Sequence, residues 1–366
     1  SHRVQIHRRI AERLRRHWGE EAPRLAGEIA EHCELGRDFE SAVTFRLHAA
    51  DNALRRFAFD EAAEQCEWAA RLIEKLPPEG RPEMRLSLYW KRGTVRHEQA
   101  RFDESASDFR AMLEEARSVG STESEMAALA GLCDALFFAR RVDEVAGHAR
   151  ELLDVADRTG HAEDAVEARG RLGQVLVCEG RFAEAIPLLD GVIEAARAAG
   201  PPVALQLGLT YRGFIHYWQA EYEAAEAFLE EAATLAANRS AFHFLAARMF
   251  VGLSRIKLGR ISEGLEEFLA AIALARRNGD RYWLPRLVGY MGWAHREILA
   301  PERALEFDTE AHRLTQEMGL PETPNTEALL VLANDAVQLG DLTQASALLA
   351  ELEEKTAEGQ WFRWMD

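Results

Sequence analysis

A short pattern returns along this chain at a nearly constant interval, and that interval limits the possible folds more than any other property. The pattern is an aromatic or aliphatic residue, two mostly polar residues, then a small or β-branched one. It begins at Phe39, Phe59, Phe102, Val142, Phe182, Tyr222, Ile261, Pro301 and Leu342. It ends at Ala42, Ala62, Ser105, Val145, Ala185, Ala225, Gly264, Ala304 and Ala345. From Ser105 onward the final residue advances by 40, 40, 40, 39, 40 and 41 positions. Twelve residues before each of these stands a second column: Gly93, Cys133, Gly173, Gly213, Gly252, Gly292 and Ala333. A third column closes the units: Gly120, Gly160, Gly200, Asn238, Gly279 and Gly319. Self-similarity at such a period marks stacked supersecondary units rather than one compact core.

Between the columns the apolar residues follow helical spacing. Ala224, Ala227, Phe228, Ala232 and Leu235 recur every three to four residues, while Glu223, Glu226, Glu230 and Glu231 point to water. Each unit is therefore expected to be two antiparallel helices of roughly 16 residues. The glycine of the first helix lets the second cross closely. The small residue of the second helix is expected opposite it, with the aromatic plugging the turn. Asp60, Asp103, Asp143, Ser262 and Thr343 suit the first turn of the second helix, by capping or by facing its positive end. The third column holds residues that tolerate a left-handed backbone and so end a helix. The whole is predicted to be all-α, a right-handed α-solenoid of antiparallel helix pairs. Residues 1–82 should hold a basic helix and three further helices, residues 83–358 seven pairs, and residues 359–366 the start of another helix or a tail. Pro77 to Pro82 is the one interruption and a candidate hinge.

The formal charge of −17 argues against a general nucleic-acid binder, since phosphates would be repelled by most of the surface. The first residues differ: Arg3, Arg8, Arg9, Arg13, Arg15, Arg16 and Arg24 face only Glu12, Glu20 and Glu21. This start lacks the apolar stretch of a signal peptide, and no run is long enough to span a membrane. Cys33, Cys66, Cys133 and Cys178 lie far apart and read as buried thiols of a cytoplasmic protein. Both ends read as cut: Ser1 is no initiator, and Trp361, Phe362, Trp364 and Met365 look like the start of a further helix.

Catalysis needs converging acids, bases or a nucleophile, and the sequence offers neither a nucleophile elbow nor a phosphate loop. His216, His243, His295 and His312 form no i,i+4 pair and have no neighbouring cysteine, so no metal or other cofactor is expected. Arg101, Arg141, Arg181 and Arg260 recur at the turn, where they should pair with acidic neighbours rather than form a carboxylate clamp.

The alternation of small and turn residues, with Gly93, Gly213 and Gly252 ahead of the second-helix column, resembles tetratricopeptide repeats. The period is longer than the usual thirty-four or so residues. Such long pairs are similar to the repeats of bacterial signal-transduction ATPases, including activators of the maltose-regulon type and cyclase–ATPase proteins. The segments from Ile6 to Leu14 and from Ala42 to Leu76 resemble the part that joins the ATPase module to its repeats. The resemblance implies a non-catalytic sensor or interaction domain. The ATPase, with a cyclase or DNA-binding domain, would then lie outside these residues, and the basic first helix would contact the ATPase module. It also implies that ligands lie on the face made by the first helices. Counting from the glycine column, that face is expected to carry Trp90, then Asp134 and Phe137, then Gln174. It continues with Phe214, Tyr217 and Trp218, then Met249 and Lys257, then Arg286, Trp293 and Arg296, then Asn334. Aromatic and Met side chains mixed with a few charges suit a peptide, a protein segment or a small inducer. A free-standing scaffold and, further off, an enzyme of helical-toroid type are the alternatives.

Overall fold

The structure is a computed structural model that describes residues 2–199, 202–237, 239–318 and 322–356. All regular structure among the described residues is helical. The chain forms two compact units, residues 1–139 with 143–160, and residues 140–142 with 161–366. In the first lie α1 (His2–Trp18), α2 (Ala26–Leu35), α3 (Phe39–Arg55), α4 (Phe59–Ile73), α5 (Arg81–Glu98), α6 (Phe102–Val119), α7 (Thr122–Phe138) and α8 (Val142–Thr159). In the second lie α9 (Ala162–Cys178), α10 (Phe182–Ala199), α11 (Pro202–Trp218), α12 (Tyr222–Ala236) and α13 (Ala241–Lys257). It continues with α14 (Ile261–Asn278), α15 (Trp283–Glu297), α16 (Pro301–Met318), α17 (Glu322–Gln338) and α18 (Leu342–Thr356). Each unit is an α-solenoid of antiparallel helix pairs.

Every residue that opens the recurring pattern is the first residue of a helix, from Phe39 of α3 to Leu342 of α18. The turn before it follows one rule that the sequence conceals. Two positions ahead of each pattern the backbone is left-handed: at Arg37, Phe57, Ala100, Arg140, Ala220 and Leu299, and at Gly180, Gly259 and Gly340. Only three of these nine are glycine, so the packing of the pairs holds the other six against a cost of about 1–2 kcal/mol each. Leu299 is the extreme case, 90% exposed at a φ of 59°. Leu299→Gly is expected to raise stability by about 1 kcal/mol, because strain is relieved and no packing is lost. Urea titration checks it, and an unchanged midpoint would mean the backbone there is relaxed.

Tight packing at the glycine column has a clear cause. A methyl group on Gly173 would sit 2.5 Å from Leu189, and one on Gly213 would sit 2.6 Å from Leu229. One on Gly93 would meet the Phe109 ring at 2.8 Å, and Gly131 of α7 presses on the same ring. The residue filling the gap therefore comes one turn after the small one. The small residue does lie opposite: Ser105 Oγ donates to the Gly93 carbonyl at 2.8 Å. Of the third column, Gly120, Gly160 and Gly279 are left-handed as expected, and Gly120 and Gly279 cap α6 and α14. Gly200, Asn238 and Gly319 lie outside the described residues, as do Trp361, Phe362, Trp364 and Met365. Capping of the second helices is not what Asp60 and Asp103 do; they lie within the first turn, where they face its positive end. Side-chain caps come from Asp38 on α3 and Asp341 on α18, and on the first helices α7 and α13 from Ser121 and Ser240.

Pro78–Gly80 is a short 3-10 turn, and α5 beyond it packs on both α3 and α4. Leu88 and Val95 of α5 join the same core as Ile29, Val43 and Leu72. Within the second unit the first helices touch their successors, α9 to α11, α11 to α13, α13 to α15 and α15 to α17. Among the described residues the backbones of α10, α12, α14, α16 and α18 make no such close approach, and α10 reaches α12 through the long Arg197–Glu231 ion pair at 2.6 Å. The first helices thus form the closely spaced side of that stack, which is the inner side of a curved array. All four cysteines are buried and free. Burial pushes the thiol of Cys33 up to about 11 and that of Cys66 up to about 12, so both stay protonated.

Candidate binding face

On the inner side of the second unit the glycine column sets which side chains can meet a ligand. One residue after the column, side chains are buried or half-buried in α9, α11, α13 and α15, while Asn334 of α17 is exposed. Four after it, in α9, α11, α13 and α15, they turn inward; Val177, Ile256 and Arg296 are buried and Tyr217 is partly so, while Val337 of α17 is exposed. Five after it, in α11, α13, α15 and α17, they reach solvent as Trp218, Lys257, Glu297 and Gln338 do, whereas Cys178 of α9 is buried. The reason is angular: one residue swings a helix position by about 100°, enough to move a side chain off the seam.

Four of the residues expected on the face are therefore packed away. Phe137, Gln174, Met249 and Arg296 are buried. Gln174 Nε2 donates to the Tyr211 hydroxyl at 2.6 Å, which ties α9 to α11. Arg296 is committed to the carboxylates of Asp308 and Asp335, the latter at 2.7 Å. Those carboxylates have no exposed side-chain surface, so their convergence is internal architecture rather than a place a substrate reaches. In the first unit, Trp90 is 40% exposed with its ring edge against Phe109 at 5.7 Å, and Asp134 is half-buried.

What the structure brings together lies on α11, α13 and α15. The Phe214 ring rests 4.2 Å from that of Phe250, and Tyr217 meets Phe250 edge-on at 5.4 Å and Trp218 at 5.4 Å. Trp218 stands 44% exposed at the rim. Lys257 Nζ sits 4.9 Å above the Trp293 ring and pairs with Glu297 at 2.9 Å. Burial, with smaller contributions from Tyr222 and Glu297, pushes the Tyr217 phenol above its ordinary range, so it remains a neutral donor. The result is an aromatic floor with one cation and one anion beside it. Such a floor contributes large contact area at low entropy cost, and the ion pair offers one donor and one acceptor to a peptide backbone. Arg286 lies apart, its guanidinium stacked on Tyr282 at 4.2 Å. Asn334 is exposed on α17 beside Gln338.

Phe250 was missed as a member of this floor, because counting ran mostly forward from the glycine column; it stands two residues before Gly252, an offset that also holds Tyr211 and Tyr290. The turn arginines do what their neighbours dictate: Arg101 binds Glu104, Arg181 binds Glu179 and Glu184, and Arg260 binds Glu226 and Glu263. Among the described residues no group of three or more His, Cys, Asp or Glu could hold a metal ion. No helix among them is long and apolar enough to cross a membrane. The first unit also has a cleft of about 730 Å³ between Arg24, Glu28, Asn52, Arg55, Arg56 and Glu61. Its arginines are engaged, Arg24 with Glu21 at 2.9 Å and Arg56 with Glu61 at 3.0 Å.

No protein-family model and no curated protein matches the chain. Solved structures do. NprR in complex with its cognate peptide NprX superposes with a TM-score of 0.64 at 13% identity, over 97% of this chain and 98% of that one. A Rap protein complexed with Competence and Sporulation Factor gives 0.61 at 15% identity, over 87% and 98%. A signal transduction ATPase with a tetratricopeptide repeat sensor, PH0952 from Pyrococcus horikoshii, gives 0.53 at 14% identity, over 98% of this chain and 53% of that one. At these identities the likeness is one of fold, and the fold is of tetratricopeptide type.

Proposed function

We propose that the chain is a non-catalytic sensor and interaction domain that binds a peptide or protein segment along the inner face of α11, α13 and α15. The observation that carries this reading is the continuous aromatic floor from Phe214 to Phe250, rimmed by exposed Trp218 and closed by the Lys257–Trp293 stack. A flexible peptide gains most from flat, rigid rings and from a few charged groups that fix its register. Support for a peptide comes from NprR and Rap, whose structures hold peptides or a signalling factor on the same fold. Support for a sensor within a larger ATP-dependent signalling or transcription-regulating protein comes from PH0952, of which the chain spans about half. A free-standing adaptor is the second reading, favoured by its coverage of nearly the whole NprR and Rap chains. A small inducer would use the same floor. In a larger parent, the ligand would act by binding the resting and active states with different affinity.

The test is a thermal-shift screen of short peptides against the wild type, Trp218→Ala and Trp293→Ala. A binding peptide raises the melting temperature by mass action. Each variant is expected to weaken its affinity at least about tenfold, as truncation of a central aromatic contact does. A peptide that stabilises all three proteins equally would place the site elsewhere, and the reading would fall.

A further inference from the structure

The six arginines of α1 divide into two sets. Arg8 and Arg15, though exposed, lean on the neighbouring elements: Arg8 Nε donates to the Gly36 carbonyl at 2.6 Å, and Arg15 bonds Ser41 and lies over the Phe45 ring at 5.5 Å. The buried side of the helix is anchored by Ala11, with Leu14 packed against the same core. Arg3, Arg9, Arg13 and Arg16 are exposed. Arg16 has a loose 3.6 Å pair with Glu12, whereas Arg3, Arg9 and Arg13 make no ion pair among the described residues. Elsewhere in the first unit the pattern is opposite. Arg92 and Arg96 share Asp108, Arg81 and Arg85 share Glu74, and Arg117 joins Glu125 to Glu151.

Ile6, Arg9, Arg13 and Arg16 follow one another at three, four and three residues, so they share one face of the helix. Ile6 is 43% exposed and lies on it between Arg3 and Arg9. From Arg3 to Arg16 the face runs about 20 Å, or three to four turns. It is a basic stripe with one apolar residue set between arginines, on a chain whose formal charge is −17.

We propose that this face of α1 docks an acidic amphipathic helix of a partner protein, with an apolar side chain on Ile6 and carboxylates on Arg3, Arg9 and Arg13. Guanidinium groups pair with carboxylates in bidentate fashion, and such pairs set register and speed encounter. The stripe fits a protein helix better than a nucleic acid for two reasons. An isoleucine between its arginines offers nothing to a phosphate backbone. A polyanion extending past these few turns would meet the carboxylates of the remaining surface. The face belongs to the first unit, so it is independent of the peptide site on α11, α13 and α15.

Fluorescence anisotropy with three labelled probes tests the idea: a Leu/Glu amphipathic helical peptide, a single-stranded DNA of similar charge, and vesicles containing phosphatidylserine. The peptide is expected to bind the wild type best. Its affinity should fall at least about tenfold in the Arg9→Glu/Arg13→Glu variant and several-fold in Ile6→Ala. All three side chains are exposed, so the variants should melt as the wild type does. Preference for DNA or vesicles would overturn the proposal. So would peptide binding that ignores Ile6→Ala, since that is ion exchange without a docking surface.

Discussion

Arg296→Ala is expected to cost the second unit about 3–5 kcal/mol, the penalty for removing one member of a buried ionic group. Arg296 is the cation between Asp308 and Asp335, and neither carboxylate has exposed side-chain surface. Without it at least one buried charge has no counter-ion. Replacing all three by apolar residues, Arg296→Met with Asp308→Leu and Asp335→Leu, should be close to neutral, because the Asp308 position is apolar in the other pairs, as Phe109, Ala149, Leu189, Leu229, Phe268 and Leu349. Urea denaturation distinguishes the two, and a single-variant loss below about 1 kcal/mol would show the charges relaxing to water. The same group makes stability pH-dependent. Burial pushes the Asp308 carboxyl up to about 8, opposed by Arg296 and reinforced by Asp335. The folded chain therefore keeps a proton that the unfolded chain releases near the ordinary carboxylate value. Stability is full below about pH 4 and falls as pH rises through about 8. Asp280, raised by burial to about 6, contributes only to the lower part of that window. Asp308→Asn should abolish the decline between about pH 6.5 and 9, and a decline that persists would assign it to another group.

Gly264→Val should destabilise by about 3 kcal/mol, at the upper end of overpacking costs. A Cβ at Gly264 would lie 2.8 Å from the Gly252 carbonyl oxygen. A backbone carbonyl cannot rotate aside, so α13 and α14 would have to separate. Gly191 is the control. It also lies inside a helix, α10, but is exposed, and nothing stands within 4 Å of an added Cβ. Gly191→Ala is expected to stabilise by as much as about 1 kcal/mol through helix propensity alone. If the two glycines responded alike to calorimetric melting, the close crossing would carry no energetic weight.

Helix register was legible because the pattern is enforced by contacts that only certain residues satisfy. A glycine where helices cross and an apolar residue at the helix start leave marks in the sequence. The left-handed turn position left none, since arginine, phenylalanine, alanine and leucine all occupy it under the force of packing. The binding face was half legible. Trp218 and Lys257 follow from counting along the helix, but Phe137 and Arg296 fall one residue short and turn into the seam. Asp308 was overlooked although it carried a signal. It occupies the column filled by Phe109, Leu189, Leu229 and Phe268, where an aspartate needs a buried cation.

The packing of each first helix on its immediate neighbours has a further consequence, for synthesis. Within each unit the helices that touch are adjacent in sequence or separated by one, so contacts close over some forty residues rather than across the chain. Short closures cost little entropy and form early. Each pair can settle against its predecessor while the next is still being made, and no strand must wait for a distant partner.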